Sequence, residues 1–133
     1  VYGNFMLGLP EDNKRTMQST IDFAIKMNPD VANFMITIPL PGTELYESVK
    51  KNGVIFEDLE RGTECGFYGG KVYYTLEGMN KDEILRYYKR SYMQFYFRPR
   101  KIFGIIRGIN SFYEFKWVLN ASFEVSKSIF KLN

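Results

Sequence analysis

The sequence contains no histidine, and among its 133 residues there is a single cysteine, Cys65. Without histidine the chain lacks the commonest general base and zinc ligand, and with them every Ser-His or Cys-His nucleophile arrangement. One cysteine excludes an internal disulfide framework and any metal cage built from several thiolates of this chain. No stretch approaches the ~18–20 consecutive apolar residues of a membrane span, and nothing at the start reads as a signal peptide, so a cytoplasmic setting is expected, with contact at a membrane surface as a variant of it. Gly-rich phosphate loops, RNA-binding signatures and zinc-finger spacings are also missing, which argues against nucleic acid as a partner. The chain therefore does not supply most of its chemistry from its own side chains.

What is present points to a folded domain. Apolar residues make up 45% of the chain, charged residues 25% and aromatics 17%, a mix that excludes disorder and low-complexity structure. The length suits one domain. Its two parts differ in character. Residues 1–66 carry six Lys/Arg against ten Asp/Glu, whereas residues 67–133 carry twelve against five and hold 17 of the 23 aromatics. The chain opens on Val1-Tyr2-Gly3-Asn4-Phe5-Met6-Leu7-Gly8, inside an apolar run and with no initiator methionine. That opening is expected of a piece of a larger protein.

Periodicity predicts a buried strand over Tyr2–Leu9, ending in Gly-Leu-Pro. Asn13 is placed to cap a helix over Lys14–Met27 that turns Met17, Ile21, Ala24 and Ile25 to one side, and Asn28-Pro29-Asp30 stops it. A second strand is predicted over Ala32–Ile38, with Ala32, Phe34, Ile36 and Ile38 on one face. Pro39-Leu40-Pro41-Gly42 is a rigid turn, Thr43 caps a helix running to about Lys51, and Gly53 stands where a C′ glycine would close it. Strand–helix–strand–helix with short turns is the pattern of parallel βα units. Residues 54–79 read as irregular, with a hairpin on Gly69-Gly70 between Phe67 and Tyr74. Asn80 with Glu83 marks the start of a helix over Lys81–Phe97, and further amphipathic helices are expected over Lys101–Ile109 and Ser111–Leu132.

Two stretches go beyond generic α/β patterning. One is Gly3-Asn4-Phe5-Met6-Leu7-Gly8-Leu9-Pro10-Glu11-Asp12 with Thr16, Thr20, Phe23 and Ala24; the other is Pro29-Asp30-Val31-Ala32-Asn33-Phe34 with Thr37-Ile38-Pro39-Leu40-Pro41-Gly42-Thr43-Glu44-Leu45-Tyr46. In this order and with Gly53 they resemble the C-terminal part of the radical S-adenosylmethionine barrel, in the subgroup of Fe-S oxidoreductases with a cobalamin-binding domain. Tyr92–Arg100 resembles the helical extension that follows the barrel in that subgroup. Gly8-Leu9-Pro10-Glu11 looks like the end of the family motif Gly-x-Ile-x-Gly-x-x-Glu, with Asn4 in place of its first glycine and Met6 in place of isoleucine.

The resemblance implies an α/β fold: terminal βα units of a partial TIM-type barrel in residues 1–55, a connector in 56–79 and a helical, basic and aromatic extension in 80–133. It also implies a parent enzyme that uses S-adenosylmethionine, a four-iron four-sulfur cluster and in some members cobalamin. Reductive cleavage of S-adenosylmethionine would make an adenosyl radical that drives methylation, ring closure or other C–H functionalisation of a small-molecule substrate. The family's Cys-x-x-x-Cys-x-x-Cys cluster loop is not in this sequence and is expected upstream, in the missing barrel half. No catalytic residue and no metal ligand is assigned to this chain. The cofactor-contacting residues implied are Gly8, Leu9, Pro10, Glu11, Pro39, Pro41 and Gly42. Physical reasoning agrees with that placement, because parallel βα units carry ligand sites at the C-terminal ends of their strands. Gly8 lets backbone approach a ligand, the prolines fix turn geometry, and Glu11 is placed to accept hydrogen bonds at the mouth of the site.

Plainer readings stand beside these. Gly8-Leu9-Pro10 is also a simple turn, with Glu11 and Asp12 a favourable negative start to a helix. Cys65 is an ordinary loop thiol, and the aromatic run Tyr87, Tyr88, Tyr92, Phe95, Tyr96, Phe97 is the pattern of core packing. Arg98, Arg100, Lys101 and Arg107, interleaved with Phe97, Ile102, Phe103, Ile105 and Ile106, suit a solvated basic face. They also suit a non-catalytic module docking on a membrane surface or protein partner. Finally, two or three βα units cannot close a barrel. The strand near residues 2–9 is therefore expected to keep an unpaired edge, through which the isolated chain would self-associate.

Overall fold

The computed structural model describes residues 1–56 and 70–108, with side chains through residue 104. Cys65, the first strand of the expected Phe67–Tyr74 hairpin, the helix expected over Ser111–Leu132, and the side chains of Ile105, Ile106 and Arg107 lie outside the described residues.

Within them the fold is mixed α/β: four helices, one two-stranded parallel sheet and one two-stranded antiparallel sheet. Strands β1 (Tyr2–Leu7) and β2 (Val31–Ile36) pair in parallel, with Phe5 opposite Phe34 and Leu7 opposite Ile36. Between them runs helix α1 (Lys14–Met27). Asn13 caps it by accepting from the Arg15 and Thr16 N–H groups at 3.0 and 3.2 Å, while Thr16 Oγ1 accepts from the Asn13 N–H at 2.9 Å. Those contacts satisfy orphan donors of the first turn. Asn28 ends the helix in the left-handed region with φ 47°, a conformation asparagine tolerates.

The sheet is half-buried rather than fully buried. Phe5, Leu7, Ala32, Phe34 and Ile36 face α1 and helix α3 (Lys81–Tyr96) and form the core with Met17, Ile21, Ala24, Ile84, Tyr88 and Phe95. Phe5 stacks on Phe34 with ring centroids 5.3 Å apart, and Phe34 meets Tyr92 and Phe95 edge-on. Tyr2, Asn4 and Met6 alternate to the other face and are exposed. The expected burial of the whole run from Tyr2 fails because both helices lie on one side, so strand alternation exposes every second residue. The Asn33 amide donates to Asn4 Oδ1 at 3.2 Å across the register on that open face.

Helix α2 (Glu44–Asn52) starts at Thr43, whose hydroxyl accepts from the Tyr46 N–H at 3.2 Å. Gly53 does not close it in a left-handed turn, as expected, but is extended (φ −134°, ψ −170°) and opens strand β3 (Gly53–Ile55). Its partner is β4 (Tyr74–Leu76), antiparallel, with Gly53 opposite Leu76. Residues 54–79 are thus not wholly irregular, and Tyr74 pairs back with Ile55. The missing Cβ of Gly53 permits this, since a Cβ there would lie 2.6 Å from the Thr75 carbonyl oxygen. Asn80 caps α3 by accepting from the Asp82 and Glu83 N–H groups, and helix α4 (Pro99–Gly108) follows the break at Arg98.

Helices α1 and α3 are tied at both ends. Lys14 pairs with Glu83 at 3.0 Å near their starts. At their far ends Arg98 donates from Nη1 to the Ile25 carbonyl (3.2 Å), from Nη2 to Asn28 Oδ1 (2.9 Å) and from Nε to the Phe95 carbonyl (2.9 Å). Lys101 donates to the Pro29 carbonyl at 2.5 Å, and both cations lie over the Phe95 ring. The last carbonyls of a helix are orphan acceptors at the negative end of its dipole, which is where cations are favourable.

Candidate functional site at the strand ends

Both sequence motifs leave the same end of the parallel pair, immediately after Leu7 and Ile36. Thr37, 4% exposed, locks the two ends together: its N–H and its hydroxyl both donate to the Leu7 carbonyl, at 3.0 and 3.2 Å. From there the loops repeat one device. In Leu9-Pro10-Glu11-Asp12 the Asp12 N–H donates to the Leu9 carbonyl at 2.9 Å; in Leu40-Pro41-Gly42-Thr43 the Thr43 N–H donates to the Leu40 carbonyl at 3.1 Å. Proline presets φ at the second position of each turn. Gly42 supplies the positive φ (86°) that a type II turn needs at its third position. Each turn then delivers a helix cap, Asn13 or Thr43.

The seven implied contact residues divide into two groups. Leu9, Pro10, Glu11, Pro41 and Gly42 are exposed on these turns, while Gly8 and Pro39 are buried beneath them. Gly8 has φ 73°, and a Cβ there would stand 3.2 Å from Ile84 Cγ2. Its missing side chain therefore makes room for α3. Its carbonyl accepts from the Tyr74 hydroxyl at 2.8 Å, a buried bond that fastens β4 to the end of β1. Burial first, and the Asp12 carboxylate second, push the Tyr74 phenol up to about 12, so it is a hydrogen-bond donor at any physiological pH. The Leu9 N–H is also occupied, donating to Asp12 Oδ2 at 3.0 Å, and Asp12 Oδ1 accepts from the Thr16 hydroxyl at 2.7 Å. Asp12 shapes the turn; Glu11 projects from it.

Sequence reasoning missed three participants. Thr37 and Tyr74 hold the strand ends by hydrogen bonds that no local pattern announces. Leu40 is 43% exposed and Leu9 42%, so each turn presents one apolar side chain to solvent at the same end of the sheet. The shared Leu-Pro dipeptide was the available signal. Two turns that follow the paired strand ends, with exposed leucines, one carboxylate and fixed backbone, offer groups suited to a ligand with an apolar body and hydroxyl or ammonium donors. No group of three or more His, Cys, Asp or Glu gathers among the described residues.

Of the basic residues Arg98, Arg100, Lys101 and Arg107, Arg98 and Lys101 are engaged at the end of α1. No helix among the described residues is long and apolar enough to cross a membrane.

The fold and the site define a mixed α/β chain whose parallel βα units carry their loops at one end. Over 104 residues, 74% of its length, the chain is 28% identical to a Pyrococcus horikoshii protein described as an uncharacterized methyltransferase. It spans 20% of that relative's length. No family model matches the chain, and no solved structure matches it significantly.

Proposed function

We propose that this chain is the terminal part of a methyltransferase-type enzyme of the radical S-adenosylmethionine class, in which residues 1–55 supply the last strand–helix units of a partial barrel and residues 80–108 begin its helical extension. The observation that carries the reading is that two Leu-Pro turns, one from each motif, each follow the C-terminal end of one strand of a parallel pair. Parallel βα architecture binds ligands at that end. The relative's description supports methyl transfer, and the motif resemblance supports the radical class.

In this reading Leu9, Pro10, Glu11, Pro41 and Gly42 form one wall of the S-adenosylmethionine site, with Gly8 and Pro39 fixing the turns from below. Leu9 and Leu40 cover the apolar part of the ligand, and the Glu11 carboxylate accepts from its hydroxyl or ammonium groups. The iron–sulfur cluster does not fit this chain's residues. Its ligands, together with any cobalamin site, belong to the rest of the enzyme, whose preceding strand would pair with the outer edge of β1. The open face with Asn4, Met6, Asn33 and Met35 would line the barrel interior. The test is equilibrium binding of S-adenosylmethionine to the complete enzyme. Glu11→Gln and Leu40→Ala are each expected to raise Kd by about ten-fold, the equivalent of one good contact. Unchanged affinity in both variants would remove the site from these turns.

A further inference from the structure

Strand β2 has two hydrogen-bonding edges, and only one of them meets β1. The Val31 and Thr37 N–H groups point to β1, donating to the Val1 and Leu7 carbonyls. Backbone groups alternate along a strand, so those of Ala32 and Phe34 point the other way. A sheet edge of this kind is a template for another strand. Here the outward groups of Ala32 and Phe34 are filled by side chains. The Tyr96 hydroxyl accepts from the Ala32 N–H at 3.0 Å and donates to the Ala32 carbonyl at 2.9 Å. The Tyr92 hydroxyl accepts from the Phe34 N–H at 3.3 Å and donates to the Phe34 carbonyl at 3.1 Å. Each phenol thus uses its O–H as donor and its lone pairs as acceptor, which is what a strand neighbour would supply with separate N–H and C=O groups.

The spacings explain why two tyrosines suffice. Four helical residues rise about 6 Å, and two strand residues advance about 6.6 Å. A helix running antiparallel to β2 therefore brings positions i and i+4 opposite alternate strand residues. The two rings stack with centroids 6.1 Å apart, and Phe34 packs edge-on against Tyr92, so the rings are held by the core on their apolar sides.

We infer that α3 serves as a surrogate edge strand: the Tyr92–Tyr96 pair makes β2 the terminal strand and confines strand addition, from this or any other chain, to the β1 edge. This inference stands apart from the proposed activity, since it depends on neither S-adenosylmethionine nor iron. It gives the aromatic run a second task besides core packing, namely choosing which side of the sheet stays open.

Hydrogen exchange of individual amides in the full chain tests it. Tyr96→Phe is expected to speed exchange at Ala32 about five-fold while leaving Phe34 protected, and Tyr92→Phe to do the converse. Val31 and Asn33 should be unaffected in both. The double variant is expected to sediment as larger species than the parent chain at equal concentration, because a second edge has been opened. Equal acceleration at all four amides would show general loosening in place of an edge lock and would overturn the inference, as would unchanged exchange. If the double variant does not fold, the two single variants decide through their residue-by-residue pattern.

Discussion

Replacing Arg98 by alanine removes three charge-assisted donors at once, and two of their acceptors are the orphan end carbonyls of Ile25 in α1 and Phe95 in α3. The guanidinium also leaves the negative end of the α1 dipole and the face of Phe95, 4.8 Å from its centroid. A hydrogen bond to a charged group contributes about 1.5–3 kcal/mol where it is well buried. This side chain is half-buried, and water replaces part of each bond, so about 1 kcal/mol for each of three bonds gives a loss of about 2–3 kcal/mol. Lysine restores the charge but not the fork, and reaches one carbonyl in place of two. Arg98→Lys should therefore lose about half as much. Urea unfolding followed by circular dichroism reads both values. With a slope of about 1.5 kcal/mol per molar urea, the alanine midpoint falls by about 1.3–2 M. A loss under about 0.5 kcal/mol in Arg98→Ala, or a lysine variant no better than alanine, would refute the claim that Arg98 joins α1 to α3.

Other outcomes follow from the same contacts. Tyr74→Phe leaves the buried Gly8 carbonyl unpaired and should cost about 1–2 kcal/mol in the same assay. Burial raises the Tyr74 phenol from 10.0 to about 12, and raises Tyr88 and Tyr96 as well, so the folded state keeps protons that the unfolded chain releases. Stability is thus fully present below pH 10 and is lost as pH rises towards 12, with a shallower loss in Tyr74→Phe; tyrosinate absorbance followed together with circular dichroism checks this, and stability that is flat across the window contradicts it. Gly8→Ala combines a left-handed backbone with a 3.2 Å approach to Ile84 and should lose more than Gly42→Ala, which has the backbone cost of about 1–2 kcal/mol alone because nothing lies within 4 Å of its Cβ position. On the proposed reading the isolated chain would carry only one wall of the site and should bind S-adenosylmethionine only weakly by calorimetry; micromolar affinity would show the site to be complete here.

Local signals were legible in the sequence, and distant pairings were not. Asn13 and Asn28-Pro29 bound α1 at Lys14 and Met27 because capping and proline act within a few residues. Alternation in β2 identified its buried face for the same reason. The pairing of β3 with β4 escaped because each is three residues long and its partner is far along the chain. Gly53 does end α2, as its position implies, with its N–H donating to the Val49 carbonyl, but in extended backbone; the backbone of Thr75, invisible to local pattern, also demands its missing Cβ. The candidate turns were recognisable from Leu-Pro and the motif spacing, but the roles of Gly8 and Asp12 depended on what Tyr74, Ile84 and Thr16 place beside them. The tyrosines of α3 read as packing because a phenol on an apolar stripe carries no mark of the strand edge it meets.

The central claim is that these turns serve radical chemistry on S-adenosylmethionine, and it is tested by product analysis of the complete enzyme, reconstituted with iron and sulfide without oxygen and reduced in the presence of S-adenosylmethionine. The account predicts 5′-deoxyadenosine formed in step with substrate conversion and abolished when the cluster is removed. Methyl transfer that proceeds without any cluster, yielding S-adenosylhomocysteine and no 5′-deoxyadenosine, would contradict it.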